Sequence, residues 1–194
     1  MKNLSRRLLT VLLLVSMLTF TTACSKAEPV YIQIDIQDYG SIVAELYPDV
    51  APITVENFLK LVDSGFYNNL TFHRIISGFM IQGGDPLGNG MGGSEETIKG
   101  EFAANGVKND IAHVRGVLSM ARSANPDSAS SQFFIMHQDA PHLDGQYAAF
   151  GKVVSGIEVV DAICANTIVI DRNGTVLPGT QPVILQITRI EKPE

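Results

Sequence analysis

"FHRIISGFMIQGGD", residues 72–85, places one His, one Arg and one Gln among large apolar side chains and closes on Gly-Gly-Asp. "TFHRII" and "FMIQ" within and beside it are short apolar runs of strand length. A guanidinium in a stretch that otherwise reads as core needs a physical reason, because charged side chains are rarely buried unless paired. Successive side chains of a strand point to opposite faces, so His73 and Arg74 are expected on opposite sides of a sheet.

Upstream, "VYIQIDI" (30–36) and "GSIVAELY" (40–47) alternate apolar and polar residues, the period of half-buried strands. Asp38-Tyr39-Gly40 between them offers a hairpin turn. In "APITVENFLKLVDSG", Val55, Phe58, Leu59 and Val62 fall on one helical face, with Pro52 in the first turn and Gly65 at the stop. Downstream, "GVLSMAR", "SQFFIMH" and "YAAFGKVV" read as strands separated by Gly, Asn, Asp and Ser clusters. "GIEVVDAICA" is a second helix starting near Gly156. "TIVIDRNGTVL" reads as two strands about Asn173-Gly174, and "PVILQITRI" is the closing strand. Many strands with only two helices, not interleaved as β-α-β, argue for an antiparallel barrel or sandwich.

The first residues read differently. Lys2, Arg6 and Arg7 precede an apolar run from Leu8 to Phe20, and Thr21-Thr22-Ala23-Cys24 follows. This is the order of a secretory signal, and the run is shorter than the roughly 20 residues of a membrane-spanning helix. The placement of Cys24 resembles the lipobox of bacterial lipoproteins, in which the chain is cut before a cysteine that carries lipid. Thr21 departs from the leucine usual there. The expected organisation is therefore a removed signal over 1–23, a short tether over 24–29 and one domain over 30–194. The protein is expected to be exported and held at the outer face of the cell membrane. An ordinary secretory signal, giving a soluble secreted or periplasmic product, is the alternative.

Removing residues 1–23 takes away three basic residues and no acidic ones, so the formal charge moves from −6 to −9. Phosphate backbones are bound by clustered Lys and Arg, so nucleic acid is excluded as a partner. The chain has two cysteines. With Cys24 lipidated, Cys164 stands alone in an apolar helical pattern as a buried structural thiol, and no disulfide framework is available.

Three apparent motifs fail on context. Gly88-Asn89-Gly90-Met91-Gly92-Gly93 matches G-x-G-x-x-G, but "SEETIKGEF" follows where dinucleotide binding needs an apolar helix. His73, His113, His137 and His142 lack the H-x-x-x-H spacing of a metal site. Ser130 and Ser131 lack the G-x-S-x-G elbow of a serine hydrolase.

The segment 72–85 has partners elsewhere in the chain. "SMARSANPDSASSQFFI" carries Gln132 beside Phe133-Phe134, and "HLDGQYAAFGKV" carries His142, Leu143 and Tyr147. In order and spacing these three segments resemble the signature segments of the cyclophilin family of peptidyl-prolyl cis/trans isomerases, over about Val30 to Ile190. The resemblance implies a closed eight-stranded antiparallel barrel capped by two helices, with its groove on the outside. It implies catalysis by Arg74, assisted by Gln82, without cofactor or metal. Substrate would be held by Phe79, Met80, Ala121, Arg122, Gln132, Phe134, His142, Leu143 and Tyr147.

Four positions depart from the commonest family pattern. Ser77 stands for proline, Arg122 for asparagine, Tyr147 for histidine and His142 for tryptophan. The asparagine serves mainly through its backbone N–H, so little is expected to change at Arg122. Cyclosporin binding is expected to be weak, because residues 142 and 147 form the groove rim. Proline-containing polypeptides are the expected partners, and a monomer is the expected state. A non-catalytic peptide-binding or scaffold module on the same fold is the alternative. The retained Arg74 argues for the enzyme, since a binder could dispense with it.

Overall fold

The computed structural model describes residues 27–193. Signal, cleavage site and Cys24 lie outside them. Eight strands form one antiparallel sheet in the order β3-β4-β6-β5-β7-β2-β1-β8. They are β1 (Val30–Ile36), β2 (Gly40–Leu46), β3 (Thr71–Ile76), β4 (Met80–Asp85), β5 (Val117–Met120), β6 (Phe133–Met136), β7 (Ala149–Ser155) and β8 (Ile184–Ile190). Helices α1 (Pro52–Asp63) and α2 (Ile157–Asn166) fall where the apolar periodicity puts them.

The β1–β2 turn uses Asp38 at φ +64 and Gly40 at φ +104, conformations that Asp and Gly tolerate best. Helix α1 begins with Pro52 but has no side-chain cap from its own N-terminal segment. Buried Glu101, distant in sequence, supplies the acceptors instead: Ile53 N–H and Thr54 N–H donate to it at 3.1 and 2.8 Å. A carboxylate there also meets the positive end of the helix dipole.

Two expectations are corrected. The sheet is open rather than a closed barrel. Its edges β3 and β8 form no continuous ladder and meet near a single bridge, Thr71 to Val183, with Phe72 N–H donating to Pro182 O nearby. Pro182 has no N–H to return, and β3 is bulged at its start, so a continuous ladder cannot form there. The second correction concerns "TIVIDRNGTVL". Its two halves are joined by one bridge, Val169 to Val176, and form no strands. The turn is held instead by Asp171, which accepts from Asn173 N–H, Thr175 N–H and the Thr175 hydroxyl.

The pairing register divides the sheet's side chains into two sets. Ile75, Ile81, Phe133, Ile135, Leu118 and Met120 point inward, into the large core with Phe58 of α1. There Phe58 packs on Tyr67, Phe133 and Phe150 with ring centroids 5.0–5.4 Å apart. Met80, Phe134, Met136 and Val117 point outward and form a second, smaller cluster with Ala140, Leu143 and Ala149. The site grows on that second cluster.

Candidate active site

Opposed residues of an antiparallel ladder share a face. Arg74 opposes Gln82, Gln82 opposes Phe134 and Phe134 opposes Ser119, so one row crosses β3, β4, β6 and β5. The guanidinium of the opening segment thus lies at the end of an outward row, beside an apolar floor and outside the main core.

Arg74, Phe79, Met80, Gln82, Ala121, Arg122, Phe134, His142, Leu143 and Tyr147 line one cleft of about 530 Å³. Gln132 does not; it stands behind Gln82 and lines an adjoining cavity. The structure therefore gathers the site residues read from the sequence at one cleft, with Gln132 behind it; Cys24 lies outside the described residues.

A directional hydrogen-bond chain orients the arginine. Gln132 Nε2 donates to Gly92 O at 2.7 Å and to Gly90 O at 3.1 Å. Gln132 Oε1 accepts from Gln82 Nε2 at 2.9 Å, and Gln82 Oε1 accepts from Arg74 Nη1 at 3.1 Å. Each amide is fixed because its oxygen faces a donor and its nitrogen an acceptor. Arg74 Nε donates to Asn173 O at 2.8 Å. Among the described residues Nη2 has no protein partner. Burial lowers the Arg74 pKa from its usual value, and neighbouring Tyr147 and Asp171 oppose that shift; a guanidinium remains charged regardless.

The Gly-Gly-Asp ending now has its reasons. A side chain at Gly83 would meet Thr71 O at 2.8 Å, and Gly84 has φ +81 with Ser131 O 2.5 Å from where its Cβ would stand. Asp85 accepts from the N–H groups of Leu87, Asn89 and Gly90, which pins the loop carrying the carbonyls that receive Gln132. Burial alone would raise the Asp85 pKa, but these donors outweigh it and hold it below the ordinary value.

His73 departs from expectation. The register shifts between Phe72 and Arg74, so His73 is the extra residue of a bulge and borders the same cleft as Arg74. Both its ring nitrogens are buried without partners, and burial lowers its pKa. The local pattern gave no sign of the bulge.

Arg122 also does more than its backbone would. Its guanidinium lies 4.6 Å from the Tyr147 ring centroid and 5.0 Å from that of Phe102, and Nε and Nη2 donate to Gln146 O. Tyr147 in turn meets Phe134 edge-on at 5.9 Å. At the other rim His142 stacks on Phe79 at 5.7 Å.

Sequence reading missed a group behind the floor. His113 stacks under Phe134, with Nδ1 3.0 Å from Asp144 and Nε2 3.0 Å from the Ser119 hydroxyl. A carboxylate only accepts, so Nδ1 carries the proton and Nε2 accepts from Ser119. This resembles a nucleophile relay in connectivity, but Ser119 is fully buried and cannot meet a substrate. Burial lowers the His113 pKa despite Asp144. Cys164 is half-buried against the core, and burial pushes its thiol up to about 11.

An outward arginine held by an amide relay beside an apolar slot sets one fixed cationic donor next to an apolar surface. The family model for cyclophilin type peptidyl-prolyl cis-trans isomerases matches residues 31–189. Peptidyl-prolyl cis-trans isomerase B of Bacillus subtilis is 51% identical over 123 residues, 63% of this chain and 82% of that protein. A peptidyl-prolyl cis-trans isomerase of Helicobacter pylori is 48% identical over 126 residues, 64% of this chain and 75% of that protein. A crystal structure of a Cryptosporidium parvum cyclophilin superposes with TM-score 0.75 at 33% identity, covering 86% of this chain and all of that one. A second structure of that enzyme, in the presence of the dipeptide Ala-Pro, gives TM-score 0.73, with 84% and 99% covered. The chain belongs to the cyclophilin-type family and is a peptidyl-prolyl cis-trans isomerase.

The relay makes a first prediction. Gln82→Leu removes the acceptor that orients Arg74 and keeps the side chain's bulk. The guanidinium then keeps one protein acceptor, and misplacing a catalytic group by about an ångström can cost about 100-fold, so kcat/KM for a proline tetrapeptide should fall about tenfold or more. The bond is only partly buried and contributes about 1 kcal/mol to stability, so the melting temperature should shift by only a few degrees. Unchanged turnover would show that Asn173 O alone orients the guanidinium.

Proposed function

We propose that Arg74 catalyses rotation about X-Pro bonds by differential binding, in polypeptides that have been exported. The observation that carries this reading is the outward guanidinium, held through Nε and Nη1, with Nη2 free of partners among the described residues, beside an apolar slot. The amide resists rotation because the nitrogen lone pair is conjugated with the carbonyl, giving a barrier of roughly 18–20 kcal/mol. Uncatalysed X-Pro isomerisation therefore takes tens to hundreds of seconds. At the twisted geometry conjugation is lost and the lone pair can accept a hydrogen bond. Arg74 donates to it there and much less in the planar states, which lowers the barrier. Guanidinium suits this task because it stays charged and its donors have fixed geometry. Met80, Phe134 and Leu143 take the pyrrolidine ring, while Phe79 with His142 and Tyr147 with Arg122 form the two rims. An Ala-Pro dipeptide accompanies the related Cryptosporidium enzyme, in keeping with a proline peptide as occupant here. The test is a protease-coupled proline-peptide assay on the 30–194 domain; no acceleration over the uncatalysed rate would overturn the reading.

The rim residues set drug binding more than turnover. Cyclosporin should bind weakly, because His142 offers less apolar area than tryptophan. His142→Trp should tighten cyclosporin binding severalfold in a calorimetric titration and leave tetrapeptide turnover similar. Equal affinity in the two forms would remove the argument.

The place of action follows from residues 1–29. The basic start, short apolar run and Ala23-Cys24 junction support lipidation of Cys24 and a domain held near the outer membrane face by its 24–29 tether. Among the described residues no helix is long and apolar enough to cross a membrane. Stable anchoring takes more than one acyl chain, at about 0.8 kcal/mol per buried CH₂, and a diacylated cysteine supplies two. Expression of the full gene should place it in the membrane fraction with a lipid-shifted N-terminal mass, and Cys24→Ala should abolish both. An unmodified, soluble wild-type product would mean simple secretion.

A further inference from the structure

Beside Arg74 the structure carries an apolar surface that the isomerisation chemistry does not use. Residues 168–177 form a hairpin whose one bridge pairs Val169 with Val176. That register sets Ile168 opposite Leu177 and Ile170 opposite Thr175, and opposed residues share a face. Val176 is fully buried and its partner Val169 is 40% exposed, so theirs is the less exposed face of the hairpin. Ile168, Ile170, Thr175 and Leu177 therefore share the outer face. Ile168 is 80% exposed, Ile170 57% and Leu177 50%.

This outer face is continuous with the cleft. Thr175 forms a bridge with Arg74, so their side chains lie on the same side, and Thr175 lines the cleft wall. Val176 N–H donates to His73 O, and Asn173 O accepts from Arg74 Nε. The hairpin is thus braced on the catalytic strand and stiffened within by Asp171. Three large apolar side chains held in water cost free energy that packing inward would recover. Such clusters mark interaction surfaces.

We propose that Ile168, Ile170 and Leu177 form an accessory subsite for an apolar, extended segment of the unfolded polypeptide whose X-Pro bond lies in the cleft. The inference rests on the isomerase reading of that cleft. The occupant's chemistry follows from the surface. Its side chains are aliphatic, and the charged residues nearby, Asp171 and Arg172, sit at the turn. Thr175 and Leu177 are two residues apart, or roughly 6–7 Å along an extended chain. A substrate lying over Thr175 therefore reaches Leu177 within about two further residues. A tetrapeptide ends before the ledge, whereas an unfolded protein does not.

The test compares wild type with the triple variant Ile168→Ser, Ile170→Ser, Leu177→Ser on two substrates. One is a proline tetrapeptide. The other is a dodecapeptide of the same central sequence, with leucine or serine at the outer positions on either side. The expected result is equal turnover of the tetrapeptide by both proteins. Wild type should prefer the leucine dodecapeptide about five- to tenfold in kcat/KM, mainly through KM, and the variant should lose that preference. Equal loss on the tetrapeptide would mean that the hairpin only supports Arg74, and no preference in wild type would remove the subsite. Sedimentation of wild type as a dimer that the variant abolishes, or adsorption of the domain to neutral lipid vesicles through these residues, would assign the surface to another occupant and overturn the proposal. Failure of the isomerase reading is separate: wild type would then leave the tetrapeptide rate uncatalysed.

Discussion

Arg74→Ala is expected to lower kcat/KM for X-Pro isomerisation by roughly 10²–10³, the loss seen when one preorganised donor is removed from a developing charge or lone pair, about 2.7–4 kcal/mol. The loss should fall on kcat, because the interaction strengthens only as the amide twists. Stability should change little. Arg74 gives up two hydrogen bonds at the protein surface, and each contributes about 1 kcal/mol at most in such a setting. Arg74→Lys separates charge from geometry. An ammonium on a flexible stem cannot hold Gln82 Oε1 and Asn173 O while aiming a further donor at the substrate, so it should recover only a small part of the rate. Stopped-flow or protease-coupled kinetics, read beside circular dichroism, decide the matter. Near-full activity in Arg74→Ala would end its assignment, and loss of the native spectrum would make the residue structural.

The row that aims Arg74 was legible only in part. The alternation in residues 30–36 and 40–47 and the helical spacing of Val55, Phe58, Leu59 and Val62 fixed elements whose burial is periodic. Those signals are local, and the structure reproduces them. The cleft residues were found through the long segments 72–85, 119–135 and 142–153, whose order carries more information than any one residue. Three features were illegible for a common physical reason: they depend on what lies opposite in the fold. The bulge that turns His73 toward the cleft is a mismatch with β4, invisible from β3 alone. The incomplete β3–β8 seam depends on Pro182 arriving beside Phe72. Arg122 looked like a backbone donor because its side chain acts only where Tyr147 and Phe102 converge on it.

Phe134→Ala should fail in a different way from Arg74→Ala, and the contrast separates anchoring from catalysis. Phe134 forms the slot floor, touching Tyr147 on one side and His113 beneath. A proline ring resting there buries about three CH₂ groups, at about 0.8 kcal/mol each, so losing the floor should cost about 2 kcal/mol, or roughly 30-fold in kcat/KM. That contact exists in the planar and the twisted states alike, so the loss should appear mainly as a raised KM. Stability should also fall, by about 3–5 kcal/mol for a buried phenylalanine truncated to alanine. The cavity would admit water to His113, whose pKa burial now holds low. A histidine depressed in the folded state favours unfolding as pH falls through the unfolded value of about 6.5. In the variant the His113 pKa should rise toward that value, which an NMR titration of the imidazole reads directly. A fall in kcat with unchanged KM would place Phe134 in the rotation step itself, beside Arg74, and a His113 pKa that does not move would mean the floor collapses over the cavity instead of opening.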